Sequence, residues 1–124
     1  MKREKELSIY TENNEAVVRE DIDKVITLAC KLGDITRKEL MSSSRKRLIG
    51  DVRICIGNLL RRVFGLTQMD CGKYLNRDHA SIIHYEGQHE YMMKLKYYKK
   101  IYSACVELAT DRTVDSEKVL VSHY

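Results

Sequence analysis

The stretch TQMDCGKYLNRDHASIIHYEGQHEY, residues Thr67 to Tyr91, decides the fold of this 124-residue chain. Thr67 is followed three residues later by Asp70, and this spacing predicts a helix start at which the threonine satisfies free N–H groups. Asn76 then interrupts the helical pattern, as is typical of a turn or a cap. A second helix is predicted from Arg77 onward. The stretch therefore predicts two helices joined by a tight turn, a helix-turn-helix.

Short side chains that form hydrogen bonds or carry a methyl group fill the first turn of the second helix: Asp78, His79, Ala80 and Ser81. Such side chains at a helix N-terminus suit base edges in the major groove of DNA. The apolar residues that follow are expected to pack this helix against the core: Ile82, Ile83 and Tyr85. Two roles stay open for Asp78, accepting from a cytosine amino group and capping its own helix. His79 either contacts a base or packs, and we favour base contact.

Positive charge is concentrated in two segments, although the net charge is only +4. Between Thr36 and Arg62 the chain has eight basic residues and two acidic ones. A second basic run, from Tyr91 to Val106, has four lysines and no acid: Lys94, Lys96, Lys99 and Lys100. Localised positive charge is typical of polyphosphate binding, and a solvated helix face is the alternative for either run alone.

The spacing of apolar residues predicts one all-α domain, a compact bundle of about six helices. The helices are expected near residues 17–32, 36–42, 46–64, 67–75, 78–91 and 93–110. Thr36 and Glu39 form a second S/T-x-x-E start, and Gly33 is a candidate C-cap. The central helix has an apolar face that includes Leu48, with three arginines expected on its exposed side: Arg53, Arg61 and Arg62. Gly57 indicates close helix packing.

Several classes of protein and site are disfavoured by the sequence. The cysteines (Cys30, Cys55, Cys71, Cys105) form no C-x-x-C pair, and His84 and His89 are five residues apart, so we expect no metal. Cys30, Cys55 and Cys105 fit the core. No apolar run approaches the ~18 residues of a membrane span. We expect a cytoplasmic protein without cofactor or catalysis; a small metal hydrolase using Asp78, His79 and His84 is the least favoured alternative.

The ends of the chain are polar. Residues 1–15 are predicted to form a mobile or frayed arm, 16–110 the domain, and 111–124 a tail. Tyr97, Tyr98 and Tyr102 cluster in the last helix, where core and core-edge packing is favoured over stacking on single-stranded bases.

Three motifs in order resemble the DNA-binding domain of DnaA, the bacterial replication initiator. RDHASIIHY resembles its R-D-H-T-T-V-x-H-A signature, and ITRKELMSSSRKR resembles its I-x-x-x-x-L-x-S-x-x-R-x-R entry. RICIGNLLRRVFGLTQMDCGKYL is similar to its long helix and S-L-x-x-I-G turn, in which Gly72 matches the turn glycine. The resemblance spans Val25 to Leu108 and implies a DnaA domain IV or Trp-repressor-like fold.

The resemblance also implies how the chain contacts DNA. Arg45 matches the arginine that enters the minor groove. Base contacts are implied for five residues: Arg45, Asp78, His79, Ala80 and Ser81. Phosphate contacts are implied for seven others: Arg47, Arg53, Arg61, Thr67, Gln68, Arg77 and His84. Ala80 departs from the signature, since it keeps a methyl group but lacks the threonine hydroxyl.

DnaA proteins also have an ATPase domain, and no G-x-x-x-x-G-K-[ST] loop occurs in these residues. We therefore expect a stand-alone module, or a fragment of a longer protein, that binds no nucleotide. The expected function is sequence-specific binding of double-stranded DNA at a DnaA-box-like site, near the nucleoid, in replication or transcription control and with proteins of those processes as partners. The alternative is a protein-interaction module of the same fold, docking through the tyrosine-rich last helix, with weak and non-specific DNA binding.

Overall fold

The structure is a computed structural model that describes residues 18–114, with side chains over 18–110. These residues form six helices and no strand: α1 at 18–32, α2 (Arg37–Leu40), α3 (Arg47–Arg62), α4 (Gln68–Leu75), α5 (His79–Met92) and α6 (Lys96–Val114). The predicted all-α class is confirmed. The last helix continues four residues beyond its expected end at 110. The arm predicted for residues 1–15, and the tail beyond 114, lie outside the described residues.

Helix α3 is the centre of the bundle, and α2, α4, α5 and α6 all pack against it. Its apolar face includes Val52, Ile56 and Leu59, which are fully buried. Leu48 is 42% exposed, so the prediction that it lies on this face is wrong. Ile49 is buried instead, because it is the residue of the first turn that points to the core. No helix within residues 18–114 has both the length and the apolarity of a membrane span.

The cysteines are core residues. Cys30, Cys55 and Cys105 are buried, as predicted, and so is Cys71 on α4. The Cys105 thiol lies 3.7 Å from the Val25 carbonyl oxygen, which joins α6 to α1. Burial raises the pKa of all four thiols, in the case of Cys71 and Cys105 to about 12. The thiols are therefore protonated at neutral pH.

Two glycines allow helices to approach closely. A Cβ atom on Gly33 would lie 2.5 Å from the Val52 Cγ2 atom, so this position needs glycine for space. The left-handed conformation after α1 belongs to Asp34, with φ of 59°, and not to the predicted Gly33 cap. Gly57 faces the Tyr85 ring across α3 and α5, where a Cβ atom would lie 3.1 Å from Cδ2. The close packing expected at Gly57 is confirmed.

Candidate nucleic-acid interface

Local hydrogen bonds fix the ends of α4 and α5. The Thr67 hydroxyl accepts from the Asp70 N–H at 3.1 Å, which confirms the predicted helix start. Asn76 has φ of 55° and ends α4 in the left-handed conformation that asparagine tolerates. Asp78 caps α5, since its Oδ1 atom accepts from both the N–H and the hydroxyl of Ser81 at 3.0 Å. Three residues, 76–78, therefore separate the two helices.

The turn lies directly on α4 at Gly72. The N–H groups of Asn76 and Arg77 both donate to the Gly72 carbonyl. A Cβ atom on Gly72 would lie 2.2 Å from the Arg77 carbonyl oxygen, far inside contact distance. The turn therefore needs glycine at this position, where the DnaA motif also has one.

The first turn of α5 presents its side chains to solvent. Asp78, His79 and Ala80 are exposed, and Ser81 is half-buried. The hydrogen bonds from Ser81 lower the pKa of Asp78, so it is ionised at neutral pH. Capping occupies only Oδ1, which leaves the second carboxylate oxygen for another donor. An open cavity of about 500 Å³ lies beside this turn, and seven residues line it: Met69, Gly72, Lys73, Asn76, Arg77, Asp78 and His79.

The apolar side of α5 differs in part from its prediction. Ile82 is fully buried and Tyr85 is half-buried, whereas Ile83 is 49% exposed. Ile83 therefore does not hold the helix against the core. It lies one turn after His79, on the outward-facing part of the helix.

A basic loop, residues 41–46, is attached to the turn between α4 and α5. The Asn76 side-chain amide donates to the Met41 carbonyl at 3.1 Å, and the Arg77 Nη2 group donates to the Ser42 carbonyl at 2.7 Å. Arg45 is exposed in this loop and forms no hydrogen bond or ion pair with the described part of the chain. The loop and the start of α5 are thus held together although they are about 35 residues apart in sequence.

Arg53 is buried beneath the basic loop, so the prediction of an exposed position on α3 is wrong. Its guanidinium donates to four backbone carbonyls, at 2.7 to 3.2 Å: Leu40, Ser44, Ser42 and Glu39. Burial, together with the charge of Arg77, lowers the pKa of Arg53. Because every contact is made to the loop and the end of α2, this guanidinium is not available to a phosphate in this conformation. We name this group of contacts the Arg53 cage.

Arg61 and Gln68 both bind a residue that the sequence analysis missed. Glu86 on α5 accepts from Arg61 Nε through Oε2 and from Gln68 Nε2 through Oε1, both at 2.9 Å. Arg61 also donates to the Leu66 carbonyl and is only half-exposed, contrary to its prediction. Arg62, by contrast, is exposed as predicted. We name the Arg61, Gln68 and Glu86 group the Glu86 clamp.

Burial would raise the pKa of Glu86, but the hydrogen bonds from Gln68 and Arg61 and the nearby positive charges outweigh it and lower the pKa. No local sequence signal marks this contact, since Arg61 and Glu86 are 25 residues apart. The Arg61 and Gln68 side chains therefore already have a hydrogen-bond partner within the protein. Their contacts with phosphate stay predictions.

The other predicted phosphate contacts differ in accessibility. Arg47, Thr67 and His84 are exposed, and Arg77 is half-buried because it spans the turn and the basic loop. The structure therefore brings Arg77 beside the predicted base contacts and leaves Arg47 directly after the basic loop.

The aromatic residues of α6 pack largely as expected. Tyr98 is buried and Tyr102 half-buried, while Tyr97 is 39% exposed. His89 is buried with them, and its Nδ1 lies 2.9 Å from the Tyr98 hydroxyl. No three His, Cys, Asp or Glu side chains in residues 18–110 are grouped to hold a metal ion.

Comparison of the chain with protein-family models, with curated proteins and with solved structures returns no match. The resemblance to DnaA therefore depends on the sequence motifs alone. What bears on function is the arrangement of the α4–α5 turn, the basic loop and the side chains that they present.

Proposed function

We propose that this chain is a sequence-specific double-stranded DNA-binding protein. The first turn of α5 meets base edges in the major groove through Asp78, His79, Ala80 and Ser81. Arg45 enters the adjoining minor groove, where the negative potential attracts arginine. The DnaA-like motifs make a DnaA-box-like duplex the first target to test, and replication or transcription control the process.

The observation that carries this proposal is the pair of hydrogen bonds from Asn76 and Arg77 to the basic loop. Reading two adjoining grooves requires a fixed separation between the two reading elements. The turn supplies it, because its own side chains bind the loop that carries Arg45. The exposure of Arg45, His79 and Ala80 supports the same arrangement.

Phosphate contacts would set the register of the protein on the duplex. Arg47, Thr67 and His84 are exposed for this purpose. Phosphate oxygens could also compete with Glu86 for Arg61 and Gln68. Affinity supplied in this way depends steeply on salt and little on sequence.

The test begins with selection of bound duplexes from a random-sequence pool, with a DnaA-box duplex and a scrambled duplex measured beside it by fluorescence anisotropy across a salt series. His79→Ala and Arg45→Ala should each reduce specific affinity by about 1–3 kcal/mol, roughly 5- to 150-fold. Lys24→Ala, on the exposed side of α1, is the control and should change little.

Selection that enriches no sequence, or a His79→Ala variant with undiminished preference for the selected site, would overturn the proposal. Equal and weak binding of every duplex would favour the protein-interaction module instead.

A further inference from the structure

The second basic run is the sequence motif that the proposed interface does not use. Lys94, Lys96, Lys99 and Lys100 lie in the turn before α6 and on its first turns, and all four are exposed. None of them forms an ion pair with any residue in the part of the chain that the structure describes. Their charge is therefore not neutralised by the fold.

The arrangement of α6 separates these lysines from the core. Tyr98, Ile101 and Cys105 define the buried side of the helix. With 3.6 residues per turn, Lys96 and Lys100 lie one above the other on the opposite, outward side. Lys96 directly precedes Tyr97 in the sequence.

Tyr97 connects the start of α6 to the start of α3. Its hydroxyl donates to the Asp51 carboxylate on α3, and the Arg47 Nε atom lies 3.9 Å from the same carboxylate. Burial and Asp51 raise the pKa of Tyr97 to about 12, so the hydroxyl stays a neutral donor at physiological pH. Arg47 directly follows Arg45 and Lys46, so basic residues continue from the loop through the start of α3 to α6.

We infer that Lys96 and Lys100 bind the phosphate backbone of the DNA duplex beyond the base-reading site, on the flank next to the groove that Arg45 enters. This inference rests on the proposed function and extends the stretch of DNA that the protein contacts. The exposed, unpaired ammonium groups match the regular negative charge of a duplex. The contact of Tyr97 with Asp51 places the start of α6 near Arg47, which directly follows the loop. Binding there adds affinity without adding sequence preference, because phosphates carry no base information.

The experiment measures fluorescence anisotropy with three duplexes that share the selected site. One has no extension, and each of the other two is extended at one end only, by about ten base pairs or one helical turn. The full chain should bind one of the two extended duplexes more tightly than the other. Lys96→Gln combined with Lys100→Gln should abolish this gain. On the favoured extended duplex it should also reduce the salt slope, d log K/d log [salt], by about 0.9 for each phosphate that the variant no longer neutralises.

Lys24→Gln combined with Lys31→Gln is the matched control, since it removes the same charge from the exposed outer side of α1. The control should keep the gain from the favoured extension. The inference would be overturned if both double variants lost the affinity gain equally, or if the Lys96/Lys100 variant kept all of it. In either case, binding to the unextended site would leave the proposed function standing. A wild-type chain that binds no duplex would overturn the proposed function itself.

Discussion

Arg53 and Arg61 lie about two turns apart on α3. The resemblance to DnaA implies a phosphate contact for each. The structure gives them different partners. Arg53 is enclosed by uncharged carbonyls in the Arg53 cage, whereas Arg61 meets a carboxylate in the Glu86 clamp. In the cage, Arg53 orders the loop and keeps its own positive charge, because its partners are uncharged. In the clamp, the Glu86 carboxylate neutralises the charge of Arg61, which a count of basic residues would include. A tally of basic residues therefore does not measure the charge that a ligand meets.

The largest effect is expected from the cage. Arg53→Met leaves four carbonyls of the loop and the α2 end without their donor, and should lower the free energy of unfolding by roughly 3 kcal/mol. Arg53→Lys should recover only part of this, because one ammonium group cannot span the same acceptors. Urea unfolding measures both. Arg45→Met, in the loop that the cage holds, is the control and should stay within about 0.5 kcal/mol of wild type. A variant at Arg53 as stable as the one at Arg45 would show that the cage contributes nothing.

A change of intermediate size is expected at the turn that holds the loop. Gly72→Ala places a methyl group against the Arg77 carbonyl and should cost about 1–3 kcal/mol. Gly87→Ala, inside α5 with open space around it, should instead stabilise the protein by roughly 0.5–1 kcal/mol. Thermal unfolding of the two variants compares them directly. Equal shifts in the same direction would contradict the tight approach at Gly72.

The smallest effect is expected from the clamp, and it depends on pH. The pKa of Glu86 is lowered in the folded protein, so its stabilisation is fully present above the ordinary value of 4.5 and is lost as the pH falls through the lower, folded value. The Glu86 side chain is about a quarter exposed, which limits the size of the loss. Glu86→Gln should flatten the dependence of the unfolding midpoint on pH between about 6 and 3. Glu90→Gln, exposed one turn later, should retain the wild-type slope; an unchanged slope in Glu86→Gln would refute the clamp.

The sequence was most informative where interactions are local. The Thr36 and Glu39 capping box, the Thr67 cap and the Asn76 turn each depend on residues at most four apart, and the structure contains all three. Periodicity also indicated the helix positions. His79, for which base contact was favoured over packing, is exposed, and so is Ala80.

Local patterns did not predict contacts between distant residues. The cage connects Arg53 with carbonyls 9 to 14 residues away, and the partners of the clamp are up to 25 residues apart. Leu48 and Ile83 show the related limit of periodicity. The apolar residues of a helix indicate a face about 100° wide. The part of that face that a neighbouring helix covers depends on how the helices pack.

The four buried, protonated thiols can be used to measure local opening of the structure. A thiol-reactive probe reaches each cysteine only when the helices around it separate, so the labelling rate records a local opening event. Cys71 would record the opening of α4 and α5, and Cys105 the separation of α6 from α1. A ligand that holds the α4–α5 unit closed would therefore slow modification of Cys71 more than that of Cys105.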